Sequence, residues 1–99
     1  MDNNKTPSEF LAIESYLRSL FRECSIETRK FHHSNNYLVR VDGANGRLKH
    51  HLFFYFQFVD ENTSDEVIEK LKDWCLQDVL EKAGKNVVFI SNDGIRVTL

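Results

Sequence analysis

The sequence is poor in cysteine, proline and glycine, and it contains no long hydrophobic segment. Two Cys are too few for a disulfide framework, and one Pro and four Gly do not suggest a Pro-rich or Gly-rich linker. No apolar run approaches the roughly 20 residues that cross a bilayer. Residues 1–5 lack the basic and apolar regions of a signal peptide. We therefore expect a cytoplasmic protein without membrane contact.

Motifs that carry catalysis or hold cofactors are missing as well. The chain has no Gly-x-Ser-x-Gly, no phosphate-binding loop, no dinucleotide fingerprint and no Cys-x-x-Cys. His32-His33 and His50-His51 are neighbouring pairs, and neighbours in a strand point to opposite faces, which argues against a shared metal ion. The sequence therefore predicts a non-enzymatic protein with no catalytic residue, no metal and no cofactor.

The residues that are present describe one ordinary domain of uneven charge. Of the 99 residues, 41% are apolar and 28% are charged, and the net charge is −2. Residues 26–51 carry five Lys or Arg against two acids, together with all four histidines, whereas residues 60–84 carry eight acids against three Lys. We expect residues 1–5 to be disordered and residues 6–99 to form a single domain, basic at one side and acidic at another.

Two capping boxes predict the beginnings of two helices. Residues 6–9 (Thr-Pro-Ser-Glu) and residues 63–66 (Thr-Ser-Asp-Glu) each place a Thr hydroxyl three residues before a Glu carboxylate. Apolar residues then recur every three or four positions, so we expect amphipathic helices over 7–24 and 63–84, with Gly84 suited to close the second. The apolar stripes of these helices include both cysteines, which we expect to be reduced core residues: Cys24 and Cys75.

Strands are predicted where apolar and polar residues alternate. Segments 37–41 and 48–59 flank a loop at 43–46, which predicts a hairpin with Val41 opposite Leu48. A second hairpin is predicted after the second helix, around an Asp93-Gly94 turn, and its strands are 86–91 and 95–99, with Ile90 opposite Val97.

Residues 25–32 predict one more strand, at an edge of the sheet, but their pattern leaves open which side faces the core. The element order is then αβββαββ. It predicts a two-layer α+β sandwich, in which an antiparallel sheet of about five strands carries two helices on one face.

The sheet face that the helices leave open is unusually apolar. An antiparallel sheet with one packed face normally shows polar residues on the other face, yet here the predicted strands direct several aromatic side chains outward. We interpret this face as a protein interface, most simply that of a homodimer. The alternative is that the sheet curls or another segment covers it. The predicted interface residues are Lys49, His51, Phe53, Tyr55, Val87, Phe89 and Arg96, and Gln57 and Val59 continue the same strand face.

Two other functions fit parts of the same pattern. Aromatic rings beside Arg40 and Arg96 resemble a single-stranded nucleic-acid platform, although a net charge of −2 attracts little phosphate. An acidic surface on the second helix, formed by Glu66, Glu69 and Asp73, instead suits a small inhibitor or immunity-type protein that blocks one macromolecule.

The element order resembles a known fold family. Residues 86–97 (Asn-Val-Val-Phe-Ile-Ser-Asn-Asp-Gly-Ile-Arg-Val) follow a helix containing residues 71–74 (Leu-Lys-Asp-Trp), and this arrangement resembles the type III secretion chaperone-like fold, including its YbjN-like relatives. Members of that superfamily are typically small, dimeric, non-enzymatic proteins that bind other proteins. The resemblance therefore implies a chaperone- or adaptor-like interaction role, with no catalytic or ligand motif to transfer.

Overall fold

The computed structural model describes residues 8–31 and 33–98. The expected disorder of residues 1–5, Thr6 of the first capping box, His32 and Leu99 lie outside the described residues. In chain order the elements are α1 (Ser8–Leu20), β1 (Ser25–Lys30), β2 (Tyr37–Asp42), β3 (Leu48–Phe54), α2 (Phe56–Asp60), α3 (Ser64–Asp73), α4 (Leu76–Ala83), β4 (Val87–Ser91) and β5 (Gly94–Val97).

The five strands form one sheet in sequence order, β1-β2-β3-β4-β5, with helices packed on it. The predicted two-layer α+β class is confirmed. The sheet is mixed rather than wholly antiparallel, because β3 and β4 run parallel while the other three pairs are antiparallel. The segment from α2 to α4 returns the chain to the end of the sheet at which β3 begins, as a parallel connection requires. A pattern of buried and exposed positions contains no information on strand direction.

The core lies between α1, α3 and α4 on one side and the inner face of the sheet on the other. Phe10 stacks on Tyr37 with 4.2 Å between ring centroids and meets Phe54 edge-on at 5.5 Å. Ile13 and Leu17 are fully buried on the same stripe of α1, as the helical periodicity predicts.

The inner side of β1 is now defined, which the sequence left open. Ile26, Thr28 and Lys30 are half-buried and alternate with exposed residues. The Thr28 hydroxyl donates a hydrogen bond to Glu14 Oε2 on α1 at 2.5 Å. β1 is an edge strand, as predicted.

The predicted strand over 48–59 is too long. β3 ends at Phe54, and the chain turns into the short helix α2, where Phe56 N–H donates to Asn36 Oδ1 at 2.7 Å. Phe58 and Val59 are both buried. Neighbouring residues in a strand point to opposite faces, whereas a helical turn lets both of these side chains reach the core. The alternation along 48–59 was therefore misleading beyond Phe54.

The predicted helix over 63–84 is broken in the middle. Its capping box is present, because the Thr63 hydroxyl accepts from Glu66 N–H and Glu66 Oε1 accepts from Thr63 N–H. Cys75, however, has φ 54° and ψ 50°, a left-handed conformation that separates α3 from α4. This residue interrupts the helical periodicity, so that Cys75 is exposed and Leu76 is buried. The expectation of a core cysteine is therefore wrong for Cys75. Cys24 is half-buried against the core.

Both hairpins differ from their predicted registers by two residues. Val41 lies opposite His50 and Ile90 opposite Ile95. In the first hairpin Asp42 pairs with Leu48, and the extra residue Lys49 adds the second residue of the shift, while the second turn is centred on residues 92–93. Since side chains alternate with a period of two, a shift of two residues leaves the side chains of residues 50–54 and of the second hairpin on their predicted faces.

Buried His50 links the sheet to the end of α4. Only 4% of its surface is exposed, and its Nδ1 lies 3.1 Å from Gly84 O. Because a carbonyl can only accept, Nδ1 carries the hydrogen. Burial lowers the pKa of His50, and the charge of Lys49 acts in the same direction, while the Gly84 carbonyl and Glu81 partly oppose them.

Replacing Cys75 tests the break between the helices. Cys75→Gly is expected to raise the free energy of unfolding by about 0.5–1 kcal/mol, because glycine adopts positive φ without strain. Cys75→Val is expected to lower it by about 1–2 kcal/mol, because a β-branched side chain is poorly tolerated there. Urea denaturation measures both. Equal stability of the two variants would contradict the left-handed conformation at Cys75.

The stability of the fold is expected to fall as His50 becomes protonated. The folded state holds the pKa of His50 below its ordinary value of about 6.5, so the unfolded chain binds the proton more readily. The contribution of His50 is therefore complete above about pH 6.5 and is lost as the pH falls below it. Between about pH 7.5 and 5.5, His50→Asn, which retains a donor for Gly84 O, is expected to lose less stability than the unmodified chain. Parallel pH profiles would contradict this.

Candidate functional site

Four aromatic rings form a continuous cluster on the sheet face opposite the helices. The ring of Phe53 lies 5.9 Å from that of Phe31, 5.2 Å from that of Tyr55 and 5.4 Å from that of Phe89, and Tyr55 and Phe89 are 6.3 Å apart. We call this cluster, together with the outward side chains of the strands around it, the aromatic face. Phe31 is 37% exposed and Tyr55 40% exposed. Phe53 and Phe89 are half-buried and belong to no part of the buried core.

The register of the sheet places the centre of this face in one cross-strand row. Partners on successive strands share a face, and five strands span about 19 Å at the usual spacing. From β1 to β5 the row consists of Arg29, Leu38, Phe53, Phe89 and Arg96. The apolar centre of the face thus lies between two arginines.

The adjacent row is more polar. From β1 to β4 it consists of Glu27, Arg40, His51 and Val87. Arg40 Nε donates to Asp42 Oδ1 at 2.7 Å, so its charge is already partly compensated. The aromatic face therefore has an apolar centre and charges of both signs at its border.

The structure brings together six of the seven predicted interface residues. They are His51, Phe53, Tyr55, Val87, Phe89 and Arg96. Arg96 also lines a groove of about 300 Å³ with Tyr55, Phe89, Ser91 and Asp93. Gln57 and Val59 do not belong to this face, because they lie in α2 and Val59 is buried.

Lys49 is directed away from the aromatic face by a β-bulge. Val41 pairs with His50 while Asp42 pairs with Leu48, so Lys49 is the extra residue on β3. Its Nζ lies 5.8 Å from the ring centroid of Phe21, at the end of the helix layer. Strict alternation put Lys49 with His51, and a bulge interrupts that alternation locally.

Sequence reasoning missed Phe31 and Leu38 as members of this surface. The alternation of segment 37–41 places Leu38 on the same side as Arg40, but a single aliphatic residue at this position does not by itself indicate an interface. Phe31 follows the end of β1 and continues the outward positions of Glu27 and Arg29. The side of β1 became clear only from the contact of Thr28 with α1.

The acidic residues of α3 have different roles. Glu69 and Asp73 are exposed, whereas the carboxylate of Glu66 closes the capping box. Hydrogen bonds from the backbone and side chain of Thr63 hold the pKa of Glu66 below its ordinary value. A groove of about 500 Å³ at the beginning of α3 collects five carboxylates, those of Glu9, Asp60, Glu61, Asp65 and Glu66.

Neither a metal site nor a membrane span is found in the described part of the chain. Residues 8–31 and 33–98 contain no group of three or more His, Cys, Asp or Glu side chains placed to hold a metal ion. Within the same ranges, each helix is too short or too polar to cross a bilayer.

Comparison of the chain with family models, with curated proteins and with solved structures finds no match. The resemblance to the type III secretion chaperone-like fold is therefore neither supported nor contradicted. The aromatic face and the charged grooves have to be interpreted from their own geometry.

Changing Thr63 tests how much the capping box stabilises the beginning of α3. Thr63→Ala is expected to lower the free energy of unfolding by about 1 kcal/mol, because the first turn of α3 loses an acceptor for Glu66 N–H. Thr63→Ser retains the hydroxyl and serves as the control. Chemical denaturation measures both variants. An alanine variant as stable as the serine variant would show that the cap contributes little.

Proposed function

We propose that this chain is a non-enzymatic protein-binding module that forms a homodimer through its aromatic face. The observation that supports this most directly is the contact of four partly exposed rings on one sheet face, none of which belongs to the buried core. Aromatic residues are enriched in protein interfaces, and contiguous exposed apolar patches on small domains commonly mark them. The chaperone-like resemblance implies the same kind of role.

The charges beside the rings favour a second copy as the partner. Glu27 and Arg29 point outward from the same side of β1, in adjacent rows. In a two-fold symmetric contact each surface meets itself, so what one residue contacts is contacted in return. A two-fold axis that runs parallel to the two rows, midway between them and between the two facing sheets, brings Glu27 of each copy over Arg29 of the partner subunit. The same arrangement packs Phe53 and Phe89 against the row of His51 and Val87.

A nucleic-acid platform would use the same rings but has weaker electrostatic support. Glu27 and Asp42 lie on this face, and Asp42 pairs with Arg40. Phosphate attraction grows with the number of uncompensated cations. The net charge of −2 opposes it.

An inhibitor-type role is a second candidate, and it rests on the exposed acids of α3 and the five carboxylates of the neighbouring groove. This surface lies away from the aromatic face, so the two functions can be separated. Reversing the charges of Glu69 and Asp73 should leave self-association intact and weaken only the binding of a basic partner.

The double variant Phe53→Asp with Phe89→Asp is expected to be folded and monomeric, because both carboxylates would be desolvated in the dimer contact. The matched control is Leu11→Asp, since Leu11 is 53% exposed on α1, away from the aromatic face. Light scattering over a dilution series measures the mass of each protein, and circular dichroism checks its folding.

A dimer of the unmodified chain and of the Leu11 variant, with a monomeric double variant, supports the proposal. A monomeric unmodified chain at all concentrations contradicts it. A folded double variant that still dimerises would also contradict it, because the aromatic face would then not be the contact. If the double variant unfolds, Phe53→Ser with Phe89→Ser repeats the test without buried charge.

A further inference from the structure

A third groove lies at the opposite end of the sheet from Tyr55. It is bounded by the β2–β3 loop, the beginning of β3 and the end of α4, and its volume is about 550 Å³. Arg47, Lys49 and Lys85 line it, with Glu81 as the single acid among its lining residues. We call it the basic groove. Volumes of 300–1,000 Å³ are typical of sites for small molecules.

The three cations of the basic groove come from three different parts of the fold. Arg47 belongs to the loop, Lys49 is the bulged residue of β3, and Lys85 follows α4. In residues 8–31 and 33–98 none of them forms an ion pair with a carboxylate. Three exposed cations thus line one groove in which Glu81 is the single lining acid, and an anion bound between them would reduce their mutual repulsion.

The floor of the basic groove is fixed by internal contacts. Nδ1 of His50 is bonded to Gly84 O, which ties β3 to the end of α4 across the groove. Half-buried Leu48 adds an apolar side chain to the lining. Lys49 is held over the ring of Phe21 at 5.8 Å, so its ammonium is positioned by the bulge and by this ring.

The helix dipole is the usual reason for a cation near the end of a helix, and it explains only one of the three cations of the basic groove. The carbonyl end of a helix attracts positive charge, which accounts for Lys85 beside α4. Arg47 and Lys49 lie on the loop and strand and are not explained by that attraction. The charge distribution of the domain is also uneven, since the groove at the beginning of α3 is lined by five carboxylates.

We propose that the basic groove binds a small organic anion, in which a carboxylate or phosphate group meets Arg47, Lys49 and Lys85 while a short apolar body lies on Leu48. This proposal does not depend on self-association, because none of these residues belongs to the aromatic face. It assigns the domain a ligand in addition to a protein partner.

Three probes with the same six-carbon body test the proposal: hexanoate, hexyl phosphate and hexylammonium. Backbone amide shifts of the full chain are followed by NMR during titration. The proposal expects the two anions to move the signals of Arg47, Leu48, Gly84 and Lys85 and expects hexylammonium not to do so. The stronger anion identifies the preferred head group. Equal shifts with hexylammonium, no shifts with either anion, or shifts confined to Phe53 and Phe89 would overturn the proposal.

Charge-removing variants provide the second arm of the test. Lys49→Gln and Lys85→Gln are each expected to weaken the binding of the better anion by about tenfold, the loss typical of a charged hydrogen bond. Lys82→Gln is the matched control, because Lys82 is an exposed lysine of α4 outside the groove lining, and its effect should stay within about twofold. If all three variants lose affinity equally, the attraction is only that of general charge and the proposed site is refuted.

Discussion

The structure depends on the packing of α1 against the inner face of the sheet. Phe10 stacks on Tyr37 and meets Phe54 edge-on, so one helix side chain joins two strands. Because successive strand residues point to opposite faces, burying one set of side chains directs the other set outward. The burial of Tyr37 and Phe54 thus places Leu38 and Phe53 on the aromatic face. The core and the proposed interface are consequences of the same constraint.

A second constraint is the long connection between β3 and β4. Parallel pairing of these strands requires the chain to cross back over the sheet, and α2 to α4 make that crossing. The crossing carries the acidic groove at one end of the sheet, at the beginning of α3, and it ends at Gly84, beside the basic groove. The uneven charge of the sequence therefore becomes a separation of charge along the sheet. The acidic groove and the basic groove thus both lie away from the aromatic face.

Much of the candidate site could be predicted from alternation alone. Phe53, Tyr55 and Phe89 were assigned to one face and contact one another there. The predicted registers were wrong by two residues, but an even shift changes neighbours without changing faces. The prediction that Lys49 lies on this face was wrong because a β-bulge adds one residue to the strand, and the hydrophobic pattern does not indicate a bulge. Phe31 was missed because the side of β1 depends on a contact with α1, which is distant in sequence.

The α+β class, the five strands, the helical segments other than α2, the capping box at Thr63 and the outward side of most strand residues follow from local spacing, and the sequence is enough to predict them. The parallel pairing of β3 and β4, the end of β3 at Phe54 and the break at Cys75 could be seen only in the folded chain. Each of these features depends on how residues that are distant in sequence pack together in the core. Phe58 shows this, since its ring lies 5.8 Å from that of Trp74, a contact that the alternation along 48–59 does not indicate.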